Sequence, residues 1–334
     1  MNSRSRRSKA AALFVVSGLV VTGFLAVHLL TPPVEMTRFR NSLIASTGTE
    51  SDFDWEPTHV PAEFRSESAT APRLFLDATR PIRSQSRNDL DLMLGLVGHL
   101  RSKHKKRGPI KSTTVRAYEE IEKSGRGYCA DYTQVFNGLA YSAGLPVREW
   151  GMSFDRYSGD GHAFSEIYDT AAGKWVFVDP MNGFYVRDAA SDMPLSVLEY
   201  RQRLLQPDGF SSIRITPIGN AFLFRSARSA FDYYVQGADE FYLWFGNDVF
   251  SYDKHEFVQV LGRFSRPAEQ MIAILVGIHP RIRILPTNTN GDEIAALKRL
   301  KYEVIFSLLA LAGFGVAALW QVAQLVLRRR SNKS

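Results

Sequence analysis

The one cysteine of the chain, Cys129, lies in the segment GRGYCADYTQ and is the first residue whose chemistry matters. A single cysteine cannot form a disulfide within its own chain, and a free cysteine can also be an ordinary small core residue. Here the thiol directly precedes a helical apolar pattern, so we predict that it lies in the first turn of a helix. The unpaired N–H groups and the positive end of the helix dipole favour the thiolate there, and the thiolate is the nucleophilic form.

A nucleophilic thiol needs an imidazole to accept its proton and a third group to orient that imidazole. His162 begins the apolar segment HAFSEIYD, Asp179 ends the segment KWVFVD, and the short turn TAAG separates the two segments. In an antiparallel hairpin the start of the first strand lies beside the end of the second. We therefore predict that Asp179 orients His162. The alternatives are Asp155 and Asp160, in the loop before His162.

The apolar periodicity around these residues predicts helices first and strands afterwards. We expect helices around residues 90–100, at 114–123 and from Cys129 to the segment AGLP, and then strands at residues 147–154, 162–169 and 174–179. This order is typical of an α+β domain.

The chain carries Cys, then His in GHA, then Asp in DP, on a helix–strand–strand frame. This arrangement resembles the transglutaminase-like superfamily in a bacterial, membrane-anchored form. The matching segments lie within residues 90–180: GRGYCADYTQVFNGLAYSAGLPVREW, GDGHAFSEIYD and GKWVFVDP. The resemblance implies a papain-like α+β core, in which a helix bearing Cys packs on antiparallel strands bearing His and Asp. It also implies acyl-transfer chemistry without a cofactor, with Cys129 as nucleophile, His162 as base and then acid, and Asp179 as orienting group.

Two features differ from the animal transglutaminases. Ala130 stands where those enzymes have a tryptophan directly after the cysteine, and their acidic calcium site has no counterpart in this sequence. Both differences argue against protein cross-linking in particular. The superfamily also includes peptidases and amidases, which share the triad and release the acyl group to water.

The remaining candidates carry weaker signals. Glu166 shares a strand face with His162, and a structural salt bridge is the favoured interpretation. Tyr128 or Gln134 could supply an oxyanion donor beside the Cys129 N–H. His99 and His104 lie in or next to a basic run and are interpreted as a solvated helix end. The histidines show no zinc-binding spacing, so no metal is expected.

The net charge of +7 comes from the two ends of the chain. Residues 1–9 and 328–334 together hold eight basic residues and no acidic one, which exceeds the net charge of the whole chain. The rest of the chain therefore has no basic surface for a phosphate backbone, and nucleic acid is excluded as a partner.

Each basic tail borders an uncharged apolar run, at residues 10–30 and 304–327, long enough to cross a bilayer as a helix. A cleaved signal peptide is the alternative for the first run. The basic tails place both termini in the cytoplasm, so residues 31–303 are predicted to lie outside the inner membrane, on the periplasmic side. Within them we expect an extended lead-in at 31–86, a transglutaminase-like domain at 87–190 and a mainly helical extension at 191–303. The aromatic residues of that extension are expected to pack against the core.

Together these features predict a membrane-anchored, outward-facing cysteine enzyme that acts on an amide or ester through a Cys129 thioester. Its partners would be the membrane, a peptide, protein or polysaccharide-linked acyl substrate, and other envelope proteins. Two alternatives remain open at this point. One is a cysteine peptidase or amidase acting on envelope peptides, and the other is a catalytically silent scaffold in envelope or polysaccharide assembly.

Overall fold

The computed structural model describes residues 33–102, 108–110, 112–220, 222–255 and 266–331, together with Gly18, Gly23 and Val260. The side chains of residues 261–268 and of most residues beyond 317 lie outside the description. The description includes eleven helices: α1 (Pro33–Ile44), α2 (Glu50–Phe53), α3 (Arg73–Gln85), α4 (Asp89–Arg101), α5 (Thr114–Ser124), α6 (Cys129–Ser142), α7 (Val197–Leu204), α8 (Ala227–Val235), α9 (Val249–Asp253), α10 (Arg266–Leu275) and α11 (Gly291–Ser331).

The described strands form one sheet. They are β1 (Ala45–Thr47), β2 (Val147–Ser153), β3 (Gly161–Asp169), β4 (Lys174–Asp179), β5 (Phe184–Asp188), β6 (Ile213–Pro217), β7 (Phe241–Trp244) and β8 (Ile282–Ile284). Their order across the sheet is β1-β8-β7-β2-β3-β4-β5-β6. Every neighbouring pair is antiparallel except the parallel pair of β1 and β8. The mixed α and β architecture agrees with the α+β prediction.

Helix α6 packs on one face of the sheet with the residues that its periodicity indicated. Tyr132, Val135, Phe136, Leu139 and Ala140 are all fully buried. They join α3, α4 and α5 in one apolar core, while Trp150, Phe164 and Phe177 lead a second core on the opposite face of the sheet. The sheet therefore separates two apolar layers, and the site residues lie at the end of the central strands β3 and β4.

The structure corrects one expectation outside the central segment. Residues 31–86 are not an extended lead-in, because they include helices α1, α2 and α3 and strand β1. Residues 191–303 contain α7 to α10 and the start of α11, and they also contribute strands β6, β7 and β8, on the two sides of the central strands. Strands of three to five residues are too short for their periodicity to identify them. The aromatic residues of this segment do pack inward, as expected.

Helix α11 is the one described helix that is long and apolar enough to cross a membrane, over Gly291–Ala317. This candidate span includes the start of the run at 304–327 that the sequence predicted. Helix α11 itself begins 13 residues before that run. The other predicted span, at 10–30, lies outside the described residues except for Gly18 and Gly23.

Candidate active site

Cys129 is the first residue of α6, as the sequence predicted. Gly125 ends α5 with a positive φ of 64°, a conformation that costs glycine little, and Tyr128 then adopts an extended backbone that starts the new helix. The Asp131 carboxylate accepts the Tyr128 N–H at 2.8 Å, which fixes the first turn. Cys129 as a whole residue is partly exposed.

His162 and Asp179 lie side by side at the open end of the β3–β4 hairpin. The separation of His162 Nε2 and Asp179 Oδ2 is 2.8 Å, and both side chains are buried. The two alternative residues, Asp155 and Asp160 in the loop before His162, are held by other contacts. Asp155 forms a 2.9 Å ion pair with Arg38, and the Asp160 backbone N–H bonds to Ser158 in the loop. Asp179 is therefore the carboxylate that orients the His162 ring.

Two further residues hold Asp179, and the sequence analysis missed both. The Asn182 backbone N–H donates to Oδ1 at 2.8 Å and its side-chain amide donates to Oδ2 at 2.7 Å. The Tyr234 hydroxyl donates to Oδ2 at 2.7 Å. Asn182 could have been found, because a residue three positions after an aspartate often closes a turn onto its carboxylate. Tyr234 is 55 residues away on α8 and left no local signal.

These contacts shift the pKa values of all three groups in directions that favour an ion pair. Burial raises the pKa of Cys129, but the charge and hydrogen bond of His162 and the backbone N–H of Ala163 lower it below its ordinary value. Burial lowers the pKa of His162, but Asp179 and the thiolate outweigh burial and raise it to about 10. Burial raises the pKa of Asp179, but His162 and Asn182 bring it below its ordinary value. Near neutral pH the arrangement favours thiolate, imidazolium and carboxylate together.

A cavity of about 190 Å³ lies beside the first two turns of α6. Its wall includes Ala130 and Gln134 of α6 and Glu149 of β2. Asn137 donates to Glu149 Oε2 at 3.0 Å, which fixes that carboxyl. Burial and the nearby Cys129 charge raise the pKa of Glu149 to about 8, so the Glu149 carboxyl senses the thiolate. The cavity wall includes Ala130, the residue after Cys129, but not Cys129, His162 or Asp179.

Tyr242 extends over the neighbouring strand toward the same region. Gly151 of β2 pairs with Tyr242 of β7 on one side and with Ala163 of β3 on the other. A Cβ atom at Gly151 would lie 2.5 Å from the Tyr242 hydroxyl, so glycine is required there to admit the phenol. Burial raises the pKa of Tyr242 to about 12, and the Cys129 charge contributes to this shift. Tyr242 is thus a buried, protonated hydroxyl at neutral pH, on the strand next to β2.

The other sequence candidates have structural partners. Glu166 forms a buried 2.7 Å ion pair with Arg148, which confirms the salt-bridge interpretation. Tyr128 is exposed at the helix start, and Gln134 donates to Thr114 Oγ1 at 2.8 Å. His99 Nε2 lies 2.7 Å from the Tyr118 hydroxyl, so His99 is not simply solvated.

His104 lies outside the described residues. The described part of the chain contains no group of three His, Cys, Asp or Glu residues arranged to hold a metal ion.

Comparison with known proteins agrees with this geometry over part of the chain. Residues 77–180 match the model of the transglutaminase-like superfamily. A structure from Cytophaga hutchinsonii, described as that of a candidate cysteine protease, is similar at 19% identity, with a TM-score of 0.29 over 38% of this chain. This chain spans 43% of that protein's length. A search of curated proteins found no match. The superfamily match covers Cys129, His162 and Asp179. It does not include Asn182, Tyr234 or Tyr242.

The pKa pattern predicts that Cys129 alkylates rapidly at neutral pH. We expect the rate of iodoacetamide labelling to rise with an inflection below about 8.5, the ordinary thiol value. In His162→Ala, burial and the Asp179 charge still raise the pKa of Cys129 and only the Ala163 N–H lowers it. Because burial is the largest of these influences, the inflection should move above that value. The measurement is a rate-against-pH series followed by intact mass. An inflection at the ordinary value in the native protein would contradict the ion pair.

Tyr234 is predicted to be a positioning residue that acts through Asp179. Tyr234→Phe keeps the ring but removes one donor, so the pKa of Asp179 should rise. The Asp179 charge, which raises the pKa of Cys129, is then lost at a higher pH, so the acid limb of the Cys129 alkylation profile should move to lower pH. The loss in stability should be about 1.5–3 kcal/mol, as for one hydrogen bond to a charged group. Tyr200→Phe is the matched control, because the buried Tyr200 hydroxyl has no hydrogen-bond partner among the described residues. An unchanged acid limb in Tyr234→Phe, or an equal shift in Tyr200→Phe, would contradict the assignment.

Proposed function

We propose that this protein is a membrane-anchored cysteine enzyme that cleaves an amide or ester and passes the acyl group to an amine or to water. The observation that carries the proposal is the buried His162–Asp179 pair beside a partly exposed thiol at a helix N-terminus. The match of residues 77–180 to the transglutaminase-like superfamily supports the same reaction class. A silent scaffold has no need to bury a charged pair, because buried charges are costly to maintain.

In the proposed reaction, the Cys129 thiolate attacks the carbonyl carbon of the substrate and forms a tetrahedral intermediate. His162 then donates its proton to the leaving amine or alkoxide, the carbon–heteroatom bond breaks, and a thioester remains on Cys129. In the second half, neutral His162 accepts a proton from the incoming amine or water, which attacks the thioester carbon. The C–S bond breaks and the thiolate–imidazolium pair is restored. Asp179 keeps one His162 nitrogen engaged throughout, so the other nitrogen serves Cys129.

The oxyanion requires donors on the side of Cys129 away from His162. The backbone N–H of Cys129 is one, because the first turn of a helix has no intrahelical partners for its N–H groups. We assign the second donor to the Tyr242 hydroxyl, which lies over Gly151 of β2, the strand that pairs with β3 of His162. Tyr128 is a weaker candidate because it is exposed, and the Gln134 amide already donates to Thr114.

The membrane topology is also part of the proposal. The candidate span in α11 supports one membrane crossing. A Cβ atom at Gly18 would lie 3.9 Å from the Phe314 ring, so Gly18 lies close to α11 at this level. With basic residues at both ends of the chain, two adjacent spans would place both tails in the cytoplasm and the sheet domain on the periplasmic side.

The reaction is tested by acylation of the full chain in detergent with p-nitrophenyl acetate, followed by intact mass. We expect one acetyl group on Cys129 in the native protein and none at a comparable rate in His162→Ala. Tyr242→Phe should acylate about 10²-fold more slowly, as on loss of an oxyanion donor. The same variant should keep its iodoacetamide rate, since alkylation forms no oxyanion.

The way in which the acetyl group leaves Cys129 distinguishes transfer to an amine from hydrolysis. A primary amine that accelerates loss of the acetyl group identifies a transferase, and loss to water alone identifies a hydrolase. If the native protein acylates no faster than His162→Ala, the enzyme proposal is wrong and the scaffold interpretation is favoured.

The orientation is tested on the same thiol, because Cys129 is the only cysteine in the chain. In intact cells with a permeabilised outer envelope, a membrane-impermeant maleimide should label Cys129. A Cys129→Ser, Ser334→Cys variant should be labelled only after lysis, since its thiol lies in the predicted cytoplasmic tail. Labelling of both thiols before lysis, or of neither, would contradict the topology.

A further inference from the structure

The cavity beside α6 contains an acidic side chain that the proposed reaction does not use. Glu149 of β2 lies in the cavity wall and is partly buried. The Asn137 amide donates to Glu149 Oε2 at 3.0 Å, and Asn137 Oδ1 accepts the Ser165 hydroxyl at 2.8 Å. Asn137 and Ser165 are both buried between α6 and the sheet. The packed interface of α6 with the sheet therefore holds the Glu149 carboxyl in one orientation.

The Glu149 carboxylate lacks a paired cation. In the part of the chain that the structure describes, no Lys, Arg or His side chain forms an ion pair with Glu149, and no group donates to its second oxygen, Oε1. Burial is the largest of the influences that raise its pKa to about 8. A carboxylate removed from water is costly unless an opposite charge compensates it. A cationic group placed in the cavity would supply that charge.

Two other charged side chains of the wall, Arg40 and Asp248, are engaged elsewhere. Arg40 donates from Nε and Nη2 to Asn41 Oδ1 at 3.1 and 2.8 Å, and its guanidinium carbon lies 5.3 Å from the centroid of the Trp244 ring. Asp248 forms a 2.8 Å ion pair with Arg65. The Arg40 charge lowers the pKa of Glu149, but burial and the Cys129 charge outweigh it. The uncompensated charge in the cavity wall is therefore that of Glu149.

Aromatic rings form another part of the wall. The His279 ring contacts both Trp244 and Tyr252, with centroid separations of 5.9 and 6.3 Å, and all three residues line the cavity. Ring faces attract cations, and apolar ring surface also accepts the methylene groups of an alkyl chain. The volume of about 190 Å³ suits a group the size of one side chain. A fixed carboxylate and a wall of rings together suit a primary ammonium group on an aliphatic chain.

The cavity reaches the first turn of the helix that Cys129 begins. Ala130, the residue after the nucleophile, lines the wall, and Gln134 lines it one turn later. The aromatic residues of the wall come from β7, α9 and the segment after α10, all of which follow the residues 77–180 that match the superfamily. The cavity therefore adjoins the turn that carries the nucleophile and is built in part from segments outside the shared core.

We propose that this cavity binds a primary ammonium group of the substrate, with the Glu149 carboxylate as its counter-charge. The inference rests on the proposed function in taking the ligand to be the molecule that reacts at Cys129. Binding of the ammonium group itself does not depend on acyl transfer. The substrate class that the cavity indicates carries a free amino group on an aliphatic chain.

The test is alkylation of Cys129, the only cysteine, in the full chain in detergent with a series of N-(aminoalkyl)iodoacetamides of increasing chain length. N-alkyl and N-(carboxyalkyl) iodoacetamides of the same lengths are the neutral and anionic controls, and intact mass gives the rates. For at least one length, we expect the aminoalkyl reagent to react about 10- to 100-fold faster than the neutral reagent, as for one hydrogen bond to a charged group. The rate of the aminoalkyl reagent should also saturate with its concentration.

Two variants and one competition experiment identify the charge. In Glu149→Gln, which can still accept the Asn137 amide but carries no charge, the ratio of the two rates should fall to about one. Glu56→Gln removes the same charge at an exposed position outside the cavity wall and should keep the native ratio. In the native protein, a free alkylammonium ion of the same length should slow the aminoalkyl reagent, whereas the matching alkanoate should not.

The outcomes separate this inference from the proposed function. Equal rates for all three reagents at every length in the native protein overturn the ammonium site. Faster reaction of the carboxyalkyl reagent also overturns it and indicates that Arg40 sets the charge preference of the cavity. An ammonium preference that persists in Glu149→Gln overturns Glu149 as the counter-charge. A clear ammonium preference in a protein that p-nitrophenyl acetate does not acetylate overturns the proposed function and leaves the ammonium site standing.

Discussion

The buried charge pair between His162 and Asp179 imposes the strictest constraint on this structure. Removing one partner from such a pair costs about 3–5 kcal/mol, because the other charge stays buried without compensation. The chain satisfies the pair with several polar groups. Asn182 and Tyr234 donate hydrogen bonds to the Asp179 carboxylate. The Cys129 thiolate, at the start of α6, faces the His162 imidazolium. The hairpin end, the start of α6 and helix α8 must therefore all be in place together, so the site is formed only by the completed fold.

The C-terminal third of the chain is part of that fold and not an appendage to it. Strands β7 and β8 extend the sheet beyond β2, and β6 closes it beyond β5. Tyr234 and Phe241 fill the apolar layer behind His162, where rings pack edge-to-face against Phe164. The segment that matches the superfamily supplies the reactive groups, whereas the residues after it supply the Tyr234 donor, the Tyr242 hydroxyl and much of the cavity wall. Substrate preference in this protein is therefore expected to depend on residues outside the shared core.

The two ends of the described chain also meet beside the site. Helix α1, which follows the first apolar run, contacts the loop before His162 and packs on α11 through Phe39. Helix α1 therefore connects the loop before His162 to the helix that contains the candidate span.

The sequence by itself determined the local features: the helix that Cys129 begins, the hairpin that brings His162 to Asp179, and the apolar run of α11. Each depends on periodicity, turn residues or a short antiparallel connection, all of which operate within about 20 residues. Only the tertiary structure decided the partners that arrive from far along the chain. Tyr234 donates to Asp179 across 55 residues, and the Tyr242 ring of β7 lies over Gly151 of β2. The short strands β1, β7 and β8 belong to the same class, because their pairing is fixed by the sheet that receives them and not by their own three or four residues.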